Sequence, residues 1–125
     1  MITHIDHIIL VTPDIEGIVA FYARVLKMAP QTLASGQRAL DFGQQRIALR
    51  TPDEVLHDHA AVGACNLCLI SDWPMDEVVA HLRAEDVHID IGPVARDGAM
   101  GPLLSVYFSD PDGNLIEVSQ PLPRR

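Results

Sequence analysis

The stretch "HIDHIILVTPD", residues 4–14, is built of apolar and β-branched residues and stops at Thr12-Pro13-Asp14, the pattern of a strand running into a helix start. From Asp14, the residues Ile15, Ile18, Val19, Tyr22, Val25 and Leu26 recur at helical spacing, so "DIEGIVAFYARVL" predicts an amphipathic helix with one stripe for a sheet. Three short strands are expected next, at Gln31–Ala34, Gln37–Phe42 and Arg46–Arg50, with a turn at Gly43-Gln44-Gln45. The segment 51–63 holds Pro52, His57 and His59 among acidic residues without periodicity, and reads as a connecting loop.

The same order then begins again. "CNLCLIS" is a short apolar strand, and Pro74 opens the helix "MDEVVAHLRAED" at a position where its missing N–H costs nothing. "VHIDIGPV" predicts a strand, "RDGAMGP" a Gly-rich loop that reads as a mobile lid or a plain connector, and "LLSVYFS" a strand. The turn Asp110-Pro111-Asp112-Gly113-Asn114 leads into the last strand, "LIEVS". Both halves therefore read βαβββ. Val19-Ala20-Phe21-Tyr22 superposes on Val79-Ala80-His81-Leu82 at an offset of sixty residues, which implies a pseudo-symmetric pair of modules. The expectation is an α+β fold: one domain over 1–125, with module one at about 4–50, a linker at 51–63 and module two at about 64–120. Two open four-stranded sheets have edges to hide, and side by side they would form one cup-shaped mixed sheet with a cleft.

With 125 residues, 48% apolar and 21% charged, the chain has the size and usage of one globular domain. A net charge of −8, with only nine Lys and Arg spread along the chain and a closing Arg124-Arg125 too short to reverse it, disfavours nucleic acid as a partner. No apolar run approaches the roughly 18 residues of a membrane span. His4, Asp6 and His7 stand where a signal peptide would be apolar, so the expected compartment is the cytoplasm, with free thiols.

Candidate chemistry starts with Cys65-x-x-Cys68. Redox pairs of this spacing sit at helix N-termini and zinc knuckles on turns, whereas this one lies in a strand, where residues three apart point to opposite faces. The expected role is small buried apolar packing. Asp110–Asn114 resembles a calcium loop, but its glycine falls at the fourth position instead of the sixth, and a turn is the simpler reading. The strand that follows puts Leu115, Glu117 and Ser119 on one face, with Glu117 either solvated or functional. His7 shares a face with Ile5, Ile9 and Val11, the setting of a satisfied core histidine or of a ligand. A pseudo-two-fold cleft would bring His7 and Glu117 together, an imidazole and a carboxylate suited to Zn, Mn, Fe or Ni.

"HIDHIILVTPDIEGIVAFYARVLKM" and "SVYFSDPDGNLIEVS" resemble the opening and closing segments of the vicinal oxygen chelate superfamily, which includes glyoxalase I, bleomycin-resistance proteins and extradiol dioxygenases. The second half is more narrowly similar to the glyoxalase domain-containing protein 5 subgroup. The resemblance runs from about His4 to Gln120. It implies paired βαβββ modules, a homodimer, and a divalent metal held by one ligand from each of four strands. Carried over, those positions fall on His7, Arg50, Asn66 and Glu117. Arg50 has no lone pair to give a metal, and Asn66 offers only a neutral amide oxygen. Asn66 or water would complete the shell, or His4, His57 or His59 would substitute if the loop folds over the cup, although none of the three falls on a family position.

Two functions follow. In the first, a glyoxalase-type lyase, isomerase or dioxygenase, a metal on His7 and Glu117 acts as Lewis acid on a small substrate that chelates through vicinal oxygens, with Glu117 catalytic. In the second, a metal-free protein of the bleomycin-resistance type sequesters a small anionic or aromatic molecule, with Arg50 and Asn66 binding it and Phe42, Trp73, Tyr107 or Phe108 adding apolar contact. A guanidinium in a half-apolar site grips a carboxylate or phosphate by two parallel hydrogen bonds, or else pairs internally with Glu117.

Overall fold

The computed structural model describes residues 1–55 and 59–123, so His57 and the closing Arg124-Arg125 lie outside the described residues. The element order is β1 (His7–Val11), α1 (Ile15–Leu26), β2 (Ala29–Thr32), β3 (Arg38–Phe42), β4 (Gln45–Arg50), a 3-10 turn (Pro52–Glu54), β5 (Asn66–Ile70), α2 (Met75–Ala84), β6 (Ile91–Gly98), β7 (Gly101–Ser109) and β8 (Leu115–Pro121). This is βαβββ twice, an α+β fold with two four-stranded mixed sheets. The chain divides into two compact units: Met1–Cys65 with Pro111–Gly113, and Asn66–Asp110 with the segment from Asn114 onward. Among the described residues, no helix is long and apolar enough to cross a membrane.

In the first unit the strand order is β1-β4-β3-β2, with β1 parallel to β4 and the other pairs antiparallel. Helix α1 starts where Asp14 accepts a hydrogen bond from the Gly17 N–H at 3.0 Å, and it stops at Lys27, which turns left-handed at φ 59°. Its predicted stripe, Ile18, Val19, Tyr22 and Val25, is buried together with Leu10, Leu40, Ile47 and Leu49. Burial of such side chains stabilises by roughly 1.5–3 kcal/mol each, and this is the core of the unit. Strand β2 lies two residues earlier than its composition suggests, because Leu33–Gln37 closes a turn: the Gly36 N–H donates to the Leu33 carbonyl, and the Leu33 N–H to the Gln37 carbonyl, both at 2.8 Å. Pro30 is tolerated in β2 because that strand is an edge.

The second unit repeats the arrangement as β5-β8-β7-β6, with β5 parallel to β8. Helix α2 buries Met75, Val78 and Leu82, while Val106, Phe108 and Ile116 are fully buried in the strands. Pro74 has no side chain to cap this helix, and Gln120 of β8 does so instead, accepting from the Met75 N–H at 2.8 Å. Two expectations are corrected here. "RDGAMGP" is no open loop: β6 continues to Gly98 and β7 starts at Gly101, so a hairpin turns on Ala99 and Met100. Gly101, at φ 135°, provides the backbone that this reversal needs. The strand expected over "VHIDIGPV" begins only at Ile91, and the register slips between Ile91 and Val94 around Gly92-Pro93.

Candidate functional site

Strand β1 alternates faces, and its parallel register with β4 sets His7 beside Arg46, Ile9 beside Ala48 and Val11 beside Arg50. The His7 side chain is half exposed, and its Nδ1 lies 2.9 Å from Asp6 Oδ2. A carboxylate on Nδ1 favours the Nδ1–H tautomer and leaves the Nε2 lone pair available. The His7 bond holds the Asp6 carboxyl below its usual range. Arg46 donates to Asp41 through Nε at 2.6 Å and Nη2 at 3.0 Å, a two-point grip that keeps the Asp41 carboxyl low as well. Arg50 is half-buried, and its Nη1 donates to the Leu49 carbonyl at 2.8 Å.

In the second unit, Asn66, Cys68 and Ile70 of β5 stand in register with Leu115, Glu117 and Ser119 of β8. Across β8 they meet Ser109, Tyr107 and Ser105 of β7. Glu117 is half-buried and accepts from the Ser119 hydroxyl at 3.3 Å; Ser119 also pairs with Ser105 at 2.7 Å and lies 3.5 Å from Cys68 Sγ. Asn66 opens its strand and is exposed. Neither cysteine is in a disulfide, and Cys68 is exposed instead of buried in the core. The reason is its parity: Cys68 shares the Glu117 face, while Leu67 and Leu69 take the other one. Desolvation of its partly covered sulfur, and the Glu117 charge after it, push the Cys68 thiol up.

The aromatic candidates separate. Phe108 is fully buried and unavailable to a ligand, Phe42 is half-buried, and Trp73 is exposed with its ring edge-on to His81. Tyr107 is half-buried on the Glu117 face, with Arg96 bonded to it. His4 and His59 are exposed, and His4 pairs with the Thr3 hydroxyl. Sequence reasoning missed Cys68, Arg96 and Ser105 on this face. Period two within β8 marks Ser119 beside Glu117, whereas the neighbours from β5, β6 and β7 depend on register, which no local pattern reveals.

Among the described residues, no group of three or more His, Cys, Asp and Glu side chains is arranged to hold a metal ion. His7, with Asp6 behind it, and the Glu117 carboxylate are of ligand type; Arg50 is not. The model of the Glyoxalase/Bleomycin resistance protein/Dioxygenase superfamily matches residues 4–118. The chain belongs to this superfamily. The glyoxalase-superfamily chain is 38% identical over 123 residues to the virulence protein STM3117 of Salmonella typhimurium, an alignment covering 96% of this chain and 85% of that protein. The crystal structure of STM3117 superposes with a TM-score of 0.92, covering 98% of this chain and 99% of the other. Lactoylglutathione lyase from Agrobacterium tumefaciens is 25% identical with a TM-score of 0.75, covering 96% and 95%. TnmS3, an antibiotic binding protein from Streptomyces sp. CB03234, is 26% identical with a TM-score of 0.72, covering 97% and 98%. The superfamily commonly binds divalent metal ions, and its members often bind small molecules and form dimers.

Proposed function

We propose that this chain sequesters a small anionic or aromatic molecule, in the manner of a metal-free protein of the bleomycin-resistance type, and that Arg50 anchors an anionic group. The observation that carries this reading is the state of Arg50. It stands at a position where the family resemblance puts a metal ligand, half-buried on the face of Ile9, Val11 and Ala48; among the described residues its hydrogen bond runs from Nη1 to the Leu49 carbonyl, and its charge is felt by the Glu54 carboxylate. A guanidinium held on a half-apolar face keeps a forked pair of donors for a carboxylate or phosphate. Asn66 is the other proposed binding residue, with an amide donor and acceptor to offer. The likeness to an antibiotic binding protein is in keeping with this. Calorimetric titration with a panel of small mono- and dicarboxylates and inorganic phosphate tests it. A ligand that binds the wild type should lose about tenfold or more with Arg50→Ala and recover only in part with Arg50→Lys, because the ammonium lacks the fork. Equal binding by wild type and Arg50→Ala would refute the anchor.

A second reading is favoured by the Asp6–His7 pair. A carboxylate behind an imidazole is the usual support of a metal-ligating histidine. Here the chain is a glyoxalase-type lyase, isomerase or dioxygenase. His7 through Nε2, and Glu117 through its carboxylate, would be the residues to hold Mn, Fe, Ni or Zn, and Glu117 would be the group to move the proton. The bound ion supplies a Lewis acid for charge developing on a small oxygen-bearing substrate. Asp6 fixes the tautomer, and Ser119 holds the carboxylate with one hydrogen bond. Metal analysis of the purified protein beside His7→Ala and Glu117→Ala decides this reading: stoichiometric metal in the wild type and loss in both variants supports it. A wild type that stays metal-free after incubation with each ion sinks it. In both readings the working form is a cytoplasmic homodimer, which light scattering checks for its mass.

A further inference from the structure

The Glu117 face of the second sheet carries a pair of donors that neither reading uses. On β6 and β7 the register sets Val94 opposite Ser105 and Arg96 opposite Leu103, and Tyr107 lies opposite Glu117 of β8. All these side chains share one face, since Leu103, Ser105 and Tyr107 alternate along β7. Arg96 reaches along that face to Tyr107: its Nε donates to the phenol oxygen at 3.0 Å, and its guanidinium carbon lies 5.4 Å from the ring centroid. Nη1 is engaged by the Ala95 carbonyl at 2.9 Å. The guanidinium is therefore held at two points and against a ring, so little side-chain freedom is left to lose on binding.

Two donors remain side by side. Among the described residues, Arg96 Nη2 and the Tyr107 hydroxyl proton have no acceptor. A phenol oxygen that accepts from Nε keeps its own O–H to donate elsewhere, and Nη2 shares the guanidinium edge of Nε. Together they present a carboxylate with one charge-assisted and one neutral hydrogen bond. Glu117 is the strand neighbour of Tyr107, and its negative charge repels a bare carboxylate arriving there. A ligand that also carries a hydroxyl removes this conflict by donating that proton to Glu117. From this, the geometry points to Arg96, Tyr107 and Glu117 as a recognition site for a small hydroxycarboxylate, with its carboxylate on the Arg96–Tyr107 pair and its hydroxyl on Glu117.

The site deepens the small-molecule-binding reading, on which it rests, but uses a sheet other than that of Arg50. The test is an amide NMR titration with lactate, with propionate as the carboxylate lacking the hydroxyl, and with propane-1,2-diol as the hydroxyl lacking the carboxylate. Lactate is expected to shift the amides of β7 and β8 and to bind severalfold more tightly than propionate, while the diol gives no shifts up to tens of millimolar. Tyr107→Phe and Arg96→Gln each weaken lactate about tenfold, and well-dispersed spectra of both variants show that they remain folded. Glu117→Gln raises propionate to the lactate level, a gain that a merely structural carboxylate would not give. The site is overturned if lactate binds both variants with an unchanged midpoint, or if lactate does not bind the wild type. Lactate shifts confined to β1 and β4 that disappear with Arg50→Ala overturn it while leaving the Arg50 anchor standing. Lactate binding at β7 and β8 that survives Arg50→Ala supports this site even if the Arg50 reading fails.

Discussion

Cys68 and Glu117 are register partners in the parallel pair of β5 and β8, and the Ser119 hydroxyl lies within reach of both, 3.5 Å from the sulfur and 3.3 Å from the carboxylate. A thiol beside a carboxylate in a partly desolvated setting resists ionisation, and the Cys68 thiol is accordingly pushed up. Only the thiolate attacks an alkylating reagent. Cys68 should therefore react with iodoacetamide more slowly at pH 8 than a small-molecule thiol does, despite its exposure. Glu117→Gln removes the charge repulsion and should move the pH–rate profile to lower pH, followed by mass spectrometry of the Cys68 peptide. An unmoved profile would remove Glu117 as a cause.

The two-point bond from Arg46 holds the Asp41 carboxyl low, so its ionised form is favoured by the fold. A depressed folded value means that the contribution is present above the ordinary carboxyl range and fades as pH falls from about 4 downward. Melting temperature should drop over that window. In Asp41→Asn the drop should be shallower and the neutral-pH value slightly lower, the difference being modest because the pair is solvated and screened by salt. Identical pH dependence in the two proteins would argue against the pair.

Much of this fold is legible in the chain because its signals are local. The stripe from Ile18 to Val25 requires one buried helix face, and the repeat of that helix at Val79 announces the second module. What escaped is what depends on register or on loop closure. Gly98 and Gly101 read as a loop, yet they end two long strands of a hairpin. Phe108 read as a candidate ligand contact, and only the pairing of Tyr107 with Glu117 shows that the next residue must take the opposite, buried face with Ile116. Arg96 lay in the presumed loop, so no periodicity placed it opposite Leu103, from which it extends to Tyr107. His7 and Glu117 were visible as single residues; their companions Arg46 and Cys68 come from strands distant in sequence.

Phe108 of β7 is fully buried, so truncating it leaves a cavity as well as losing transfer energy. Phe108→Ala should cost about 3–5 kcal/mol in urea denaturation. Phe108→Leu should cost less, because more of the volume is kept. A cost below about 1 kcal/mol for the alanine variant would mean that the side chain is more exposed than described.

Gly17 and Asp14 make a coupled pair at the start of α1. The Asp14 carboxylate accepts from the Gly17 N–H at 3.0 Å and occupies the place where a Cβ on Gly17 would go. Helix propensity alone says that Gly17→Ala gains about 1 kcal/mol. The cap it would displace is worth about 1 kcal/mol. In the wild-type background the two effects should nearly cancel, while in Asp14→Ala, where the cap is already gone, the same Gly17→Ala change should stabilise by close to the full propensity difference. A double-mutant cycle in urea should therefore show a coupling of about 1 kcal/mol. Strict additivity would mean that the carboxylate moves aside without loss, and that the close approach of Asp14 to Gly17 is not what caps the helix.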